Sequence, residues 1–237
     1  PMNAAVIAND LNRLSGGRFV LGLGSQIKPH ITKRFSMPWS DPAARMREFV
    51  LAIRAIWASW NTGEPLAFRG EYYRHTLMTP MFDQGPNDGP DPRIFVAAVG
   101  PAMTRTAGEV ADGLLAHGFT TASYLRDVTL VNLQRGLDAS GRSRGDVEVS
   151  VPIMTAVGRD DTEVAARLPG LRQRLAFYGS TPAYRSVLDH HGWGEVGDEL
   201  NRLSKKGEWV AMGDLITDEI LAEFAIVGDA ASVAAEI

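Results

Sequence analysis

Small residues, rather than charged ones, stand where this sequence could hold a ligand. Ala98-Val99-Gly100-Pro101 closes the apolar, partly β-branched run Ile94–Val99 and opens a segment with helical spacing. A buried strand that runs straight into a helix leaves bare N–H groups and the positive end of the helix dipole at the turn. That combination suits a phosphate. Pro101 fits the first helical position, where a missing N–H costs nothing. Gly24-Ser25 closes an earlier run, Phe19–Leu23, in the same way. Gly24 admits close approach, and Ser25 offers one hydroxyl hydrogen bond. His117 ends a third run, Leu114–Ala116. An imidazole that titrates near neutrality suits proton transfer or a hydrogen bond to a ring carbonyl. Thr120 and Thr121 follow it and could touch a cofactor or substrate.

Other chemistries find little support. The chain has no cysteine, which removes disulfides, thiolate metal sites and thiol nucleophiles and fits a cytoplasmic protein. His190 and His191 are adjacent, so on a helix they diverge by about 100° and cannot chelate one metal. His30 and His75 have no visible partner, and we expect no metal site. There is no Ser-His-Asp order, HExxH, P-loop or GxGxxG; Gly22-Leu23-Gly24 gives only the first half of a dinucleotide fingerprint. Gly228-Asp229 could form a rival phosphate site on fold grounds. The tryptophans at 39, 57, 60, 193 and 209 are spaced for core packing and loop anchoring. A net charge of −4 without a Lys/Arg cluster argues against nucleic acid. No apolar run approaches the ~20 residues of a membrane span.

These residues need a frame of alternating strands and helices. The stretch 93–119 reads as strand, turn, helix, strand, the length that a parallel pair requires. Its helix carries Met103, Ala107, Val110 and Ala111 on one face, and Gly108 would let it approach the sheet closely. Before it come a helix over Ala4–Leu14 with Ile7, Leu11 and Leu14 on one face, and a polar loop, Gln26–Ser40. A helix follows from Asp41-Pro42 to about Trp60, then a hairpin in Leu66–Tyr73 and an irregular excursion, Thr79–Pro92. After it come a helix over Tyr124–Ala139, a strand over Asp146–Val157 weakened by Pro152, and a helix from Asp160 that Pro169 could kink. Further helices begin at Thr181 and Glu195, Thr217 caps Ile220–Phe224, and a strand over Ala225–Val227 leads into a last helix. The 237 residues suffice for one large domain or two small ones, with strands alternating with helices in the α/β manner, 45% hydrophobic and 22% charged as in ordinary globular chains. We treat 1–237 as a single domain.

Four stretches in order resemble one family. LSGGRFVLGLGS (Leu14–Ser25), FVAAVGPAMTRTAGEVADG (Phe95–Gly113), FYGSTPAYRSVLDHHGWG (Phe177–Gly194) and EFAIVGDAASVAAEI (Glu223–Ile237) are similar to bacterial luciferase-like monooxygenases, and most of all to the branch that uses the deazaflavin coenzyme F420. The resemblance implies a (β/α)8 barrel of which this chain holds strands four to eight, from Phe19–Leu23 through Ile94–Val99, Leu114–His117 and Val147–Ile153 to Ala225–Val227. It opens at Pro1 within a helical pattern and without an initiator Met, so the expectation is a partial barrel lacking its N-terminal part. By resemblance, Gly24, Ser25, Ala98, Val99, Gly100 and Pro101 bind the cofactor phosphate, and His117 lies near its ring as the one catalytic candidate. The implied activity is hydride transfer between F420 and a small organic substrate. An FMN-dependent monooxygenase and a non-catalytic flavin-binding protein on a shortened barrel are the alternatives. A homodimer is expected from resemblance alone.

Overall fold

A computed structural model describes residues 1–87 and 89–237 of the chain. The excursion Thr79–Pro92 contains Asp88, which lies outside the described residues. The chain divides into two compact units, Pro1–Leu115 with Asn132–Ser150, and Ala116–Val131 with Val151–Ile237.

The first unit begins with α1 (Met2–Leu14), β1 (Val20–Leu23) and a π turn at His30–Arg34. It continues through α2 (Pro42–Thr62), the short strands β2 (Phe68–Arg69) and β3 (Arg74–His75), β4 (Arg93–Ala98), α3 (Pro101–Val110) and β5 (Gly113–Ala116). Its four-stranded sheet has the order β1-β4-β5-β6, where β6 is Glu148–Ser150. β1 and β4 run parallel with Leu23 opposite Val96, and β5 and β6 run parallel with Leu114 opposite Val149. Helix α2 starts where Asp41 accepts the N–H groups of Ala43 and Ala44 at 3.0 and 3.2 Å. Its inward stripe buries Val50, Ile53, Ile56 and Trp57 completely, and Trp57 Nε1 donates to Ala5 O at 3.1 Å. At about 1.5–3 kcal/mol for each large apolar side chain removed from water, this stripe outweighs any propensity term. In α1 the packed residues are Ala5, Ala8, Asn9 and Asn12, whereas Ile7 and Leu14 stand exposed.

Two local arrangements fix the frame. Asp112, between α3 and β5, accepts Ile94 N–H on one oxygen and Arg54 Nη2 on the other, both at 2.8 Å; Arg54 also donates to Val110 O. One carboxylate thus ties the start of β4, the end of α3 and the flank of α2. Glycine does the second job. A Cβ on Gly108 would lie 2.4 Å from Leu133 O, and one on Gly136 would lie 2.0 Å from Arg105 O. Gly108 therefore permits close crossing of α3 with α5 (Leu130–Ser140), a neighbouring helix and not the sheet.

The segment expected as one helix over Tyr124–Ala139 is three pieces: α4 (Ala122–Tyr124), a π turn at Leu125–Thr129, and α5. The strand expected over Asp146–Val157 is also broken. β6 pairs with β5, while β7 (Met154–Val157) pairs with β8 (Ala225–Gly228), and Pro152, which lacks the N–H that a ladder needs, lies in the interval.

In the second unit β7 and β8 are parallel, with Met154 opposite Ala225. Around them lie α6 (Asp161–Gly179), α7 (Arg185–His190), α8 (Gly194–Lys206), α9 (Trp209–Asp214), α10 (Asp218–Phe224) and α11 (Ala230–Glu236). α6 runs on through Pro169 as a single helix. The core joins Phe119, Leu175, Leu188, Leu200, Met212 and Phe224. Among the described residues no helix is long and apolar enough to cross a membrane.

Candidate functional site

Parallel pairing brings the first two candidate turns together. Leu23 is level with Val96, so Gly24 falls beside Ala97 and Ser25 beside Ala98 where both strands give out. A Cβ on Gly24 would sit 3.6 Å from that of Ala97. Gly100 is the N-cap of α3 with φ −93° and ψ 163°, and no side chain caps the helix. A Cβ there would meet nothing within 4 Å. The Thr104 N–H is spent on Gly100 O at 3.1 Å. Pro101 has no N–H, so the first-turn donors are those of Ala102 and Met103, for which the helix itself supplies no acceptor. Reading the turn by residue type stopped at Pro101 and missed these two, although donor counting along a Pro-initiated helix identifies them. Ser25 Oγ donates weakly to Gln26 O at 3.3 Å. Gln26 itself adopts a left-handed φ of 58°, a strained state for a residue with a Cβ.

A cleft of about 320 Å³ adjoins this corner within the first unit, lined by Ser25, Trp39, Arg45, Met46, Phe49 and Tyr73 among others. Its walls are mostly apolar. The loop Gln26–Ser40 supplies one side of it, including Ile31, Met37 and Pro38.

The rival turn after β8 is built differently. Asp229 accepts Ser232 N–H at 2.7 Å and caps α11, and Asp160 accepts Glu163 N–H at 2.9 Å and caps α6. Arg159 is paired with Glu163. Carboxylates already occupy the helix N-termini at the ends of β7 and β8, so an added anion there meets like charge.

His117 belongs to the second unit and sits in an aromatic nest. Its ring stacks on Tyr184 at 4.3 Å and meets Tyr178 edge-on at 4.9 Å. Nδ1 accepts the Phe119 N–H at 3.0 Å, which leaves the proton of the neutral ring on Nε2. Burial pushes its pKa below the ordinary histidine value. The group is therefore a neutral hydrogen-bond donor at pH 7 rather than a charged acid. Thr121 caps α4 through Tyr124 N–H and shares a 2.8 Å hydrogen bond with His191 Nε2. His191 stacks on Trp193 at 4.5 Å. Thr120 Oγ1 is buried without a hydrogen-bond partner and lines a second cleft of about 360 Å³. Trp57 and Trp60 are core residues, whereas Trp39 lines the first cleft. Among the described residues no group of three or more His, Asp or Glu side chains could hold a metal ion.

Comparison with known proteins places this geometry in context. The profile of the luciferase-like monooxygenases matches residues 1–237. An uncharacterized protein of Mycobacterium tuberculosis is 56% identical over 234 residues, covering 99% of this chain and 69% of its own length. The 5,10-methylenetetrahydromethanopterin reductase of Archaeoglobus fulgidus is 31% identical, covering 96% of this chain and 65% of its own. Among solved structures, the coenzyme F420-dependent tetrahydromethanopterin reductase of Methanopyrus kandleri superposes with a TM-score of 0.75 at 23% identity, over 98% of this chain and 68% of that one.

Proposed function

The chain belongs to the luciferase-like monooxygenase family, and from that premise we propose that it is an F420-dependent oxidoreductase acting on a small organic substrate. The observation that carries the reading is the pair of open turns at the ends of β1 and β4. The N-terminus of α3 has no side-chain cap and free space around Gly100, whereas the corresponding turns after β7 and β8 are closed by Asp160 and Asp229. A cofactor phosphate fits the first arrangement and is repelled by the second. The residues assigned to it are Gly24, Ser25, Ala98, Val99 and Gly100, with Pro101 setting the helix start and Ala102 and Met103 adding backbone donors. Val99 and Gly100 give approach rather than charge. Ser25 can turn its hydroxyl from Gln26 O toward a phosphate oxygen at small cost, because the bond it leaves is long.

When bound, the deazaflavin supplies the hydride chemistry, and the protein binds and orients it. His117 is assigned as a hydrogen-bond donor through Nε2. We assign the five parallel strand positions, β1, β4, β5, β6 with β7, and β8, to strands four to eight of a (β/α)8 barrel within one catalytic domain. The TM-score of 0.75 to the Methanopyrus structure supports the fold, and a 28% identity to a putative coenzyme F420-dependent oxidoreductase of Mycobacterium tuberculosis supports the F420 branch. Titration of the purified protein with F420 and with FMN, followed by absorbance and fluorescence of the bound species, tests the reading. Saturable binding of F420 with FMN at least tenfold weaker is the expected result. Tighter binding of FMN would transfer the chain to the flavin monooxygenases, and binding of neither would remove the assignment.

A further inference from the structure

Arg45 is a guanidinium in an apolar cleft, and among the described residues no carboxylate is paired to it. It projects among Met46, Phe49, Trp39 and Tyr73. Nε donates to Tyr73 Oη at 2.7 Å, and Nη1 donates to Ser40 Oγ at 3.3 Å. The guanidinium carbon lies 5.5 Å from the Tyr73 ring centre. Both polar partners are neutral. The acidic residues nearest in sequence are occupied elsewhere: Asp41 caps α2, and Glu48 accepts the N–H groups of Glu71, Tyr72 and Tyr73. Neither forms an ion pair with Arg45, and no ion pair to Arg45 occurs among the described residues.

A half-buried cation held in place by two neutral hydroxyls is expensive unless an anion completes it. Tyr73 and Ser40 fix the fork, so its remaining N–H donors point from a pre-set position. The volume of about 320 Å³ suits a ring or a short alkyl stem, and the lining of Ile31, Met37, Pro38, Trp39, Met46 and Phe49 suits nothing more polar. Phe49 and Tyr73 meet edge-on at 5.5 Å and form one aromatic wall.

We propose that this cleft is the subsite for an apolar organic acid, whose carboxylate meets Arg45 while its hydrocarbon or aryl stem lies against Phe49 and Trp39. The subsite adjoins Ser25 and so names a substrate class for the oxidoreductase proposed above. It rests on that reading only for its metabolic meaning, because binding of the acid needs no cofactor. The carboxylate could also come from the acidic tail of F420, and the two sources separate in a competition.

The test is calorimetric titration of the cofactor-free protein with 4-phenylbutyrate and with its neutral amide. The acid should bind at least tenfold more tightly than the amide. In Arg45→Gln that preference should vanish, with amide affinity unchanged, and Phe49→Ala should weaken both probes. A melting curve checks that each variant is folded. Should Arg45→Gln fail to fold, the acid-to-amide ratio of the unaltered protein still decides. Equal affinity for acid and amide overturns the proposal, and so does an acid preference that survives in Arg45→Gln. Displacement of the acid by F420 but not by a deazaflavin 5′-phosphate without the tail also overturns it, since the cleft would then belong to the cofactor. The cofactor reading itself fails on a different result, the loss of F420 binding altogether.

Discussion

Gly100→Val separates folding from ligand binding more cleanly than any other single change. The backbone at this position has φ −93° and ψ 163°, extended values that a β-branched residue adopts freely. The Cβ it adds meets no atom within 4 Å. Val is a poorer N-cap than Gly, so stability should fall by no more than about 1 kcal/mol, roughly 2–4 °C in Tm for a chain of this size. The new methyl groups, however, stand in front of the first turn of α3, where a phosphate oxygen must come within about 2.9 Å of an N–H. Displacing even one such charge-assisted bond costs about 1.5–3 kcal/mol, roughly a tenfold to 150-fold loss of affinity. Fluorescence titration with F420 reads that loss, and a thermal melt of the same preparation reads the fold. A deazaflavin riboside without phosphate serves as the internal control, since its binding should be the same in both proteins. Unchanged F420 affinity in a variant that still melts cooperatively would refute the placement of the phosphate.

Asp229→Ala should cost about 1 kcal/mol through the lost cap of α11 and leave F420 affinity untouched; a drop as large as that of Gly100→Val would move the phosphate to the β8 turn. Gly108→Ala forces a methyl to 2.4 Å from Leu133 O, which should destabilise by about 1–3 kcal/mol and lower Tm by several degrees without altering ligand preference. His75, His117 and His191 all have pKa values lowered by burial. As pH falls below about 6.5 the unfolded chain takes up protons first, so stability should decline from there until the folded-state values are passed, and it should be complete above that pH. His117→Gln should flatten this decline in a Tm-against-pH series, and an equally steep profile would show that His117 does not contribute.

The open corner at β1 and β4 was legible in the sequence because it depends on local features: an apolar run, a small-residue stop and a Pro at the helix start. The inward stripe of α2, with Ile53, Trp57 and Trp60, was legible for the same reason. What escaped depends on partners distant in the chain. The apolar face Ile7-Leu11-Leu14 follows helical spacing, yet the residues of α1 that pack are Ala5, Ala8, Asn9 and Asn12, since Trp57 reaches over to Ala5 O. The alternation Val147, Val149, Val151, Ile153 reads as one strand, but the partner changes from β5 to β8 within it. Gly108 reads as a close approach to the sheet, but the partner is α5 around Leu133 and Gly136, which lies outside its own neighbourhood in the chain. Arg45 gave no signal, because an arginine one turn inside an amphipathic helix looks like solvated surface until Tyr73 and Ser40 are seen to hold it.

Asp112 sits at the head of β5, and the strand register sets it at the end of the sheet opposite Gly24 and Gly100. Its grip on Ile94 and Arg54 is a keel: ballast fastened beneath, with the deck left unburdened. Replacements on that upper side can therefore retune which molecule is carried without loosening the hull, and engineered changes of cargo should begin there.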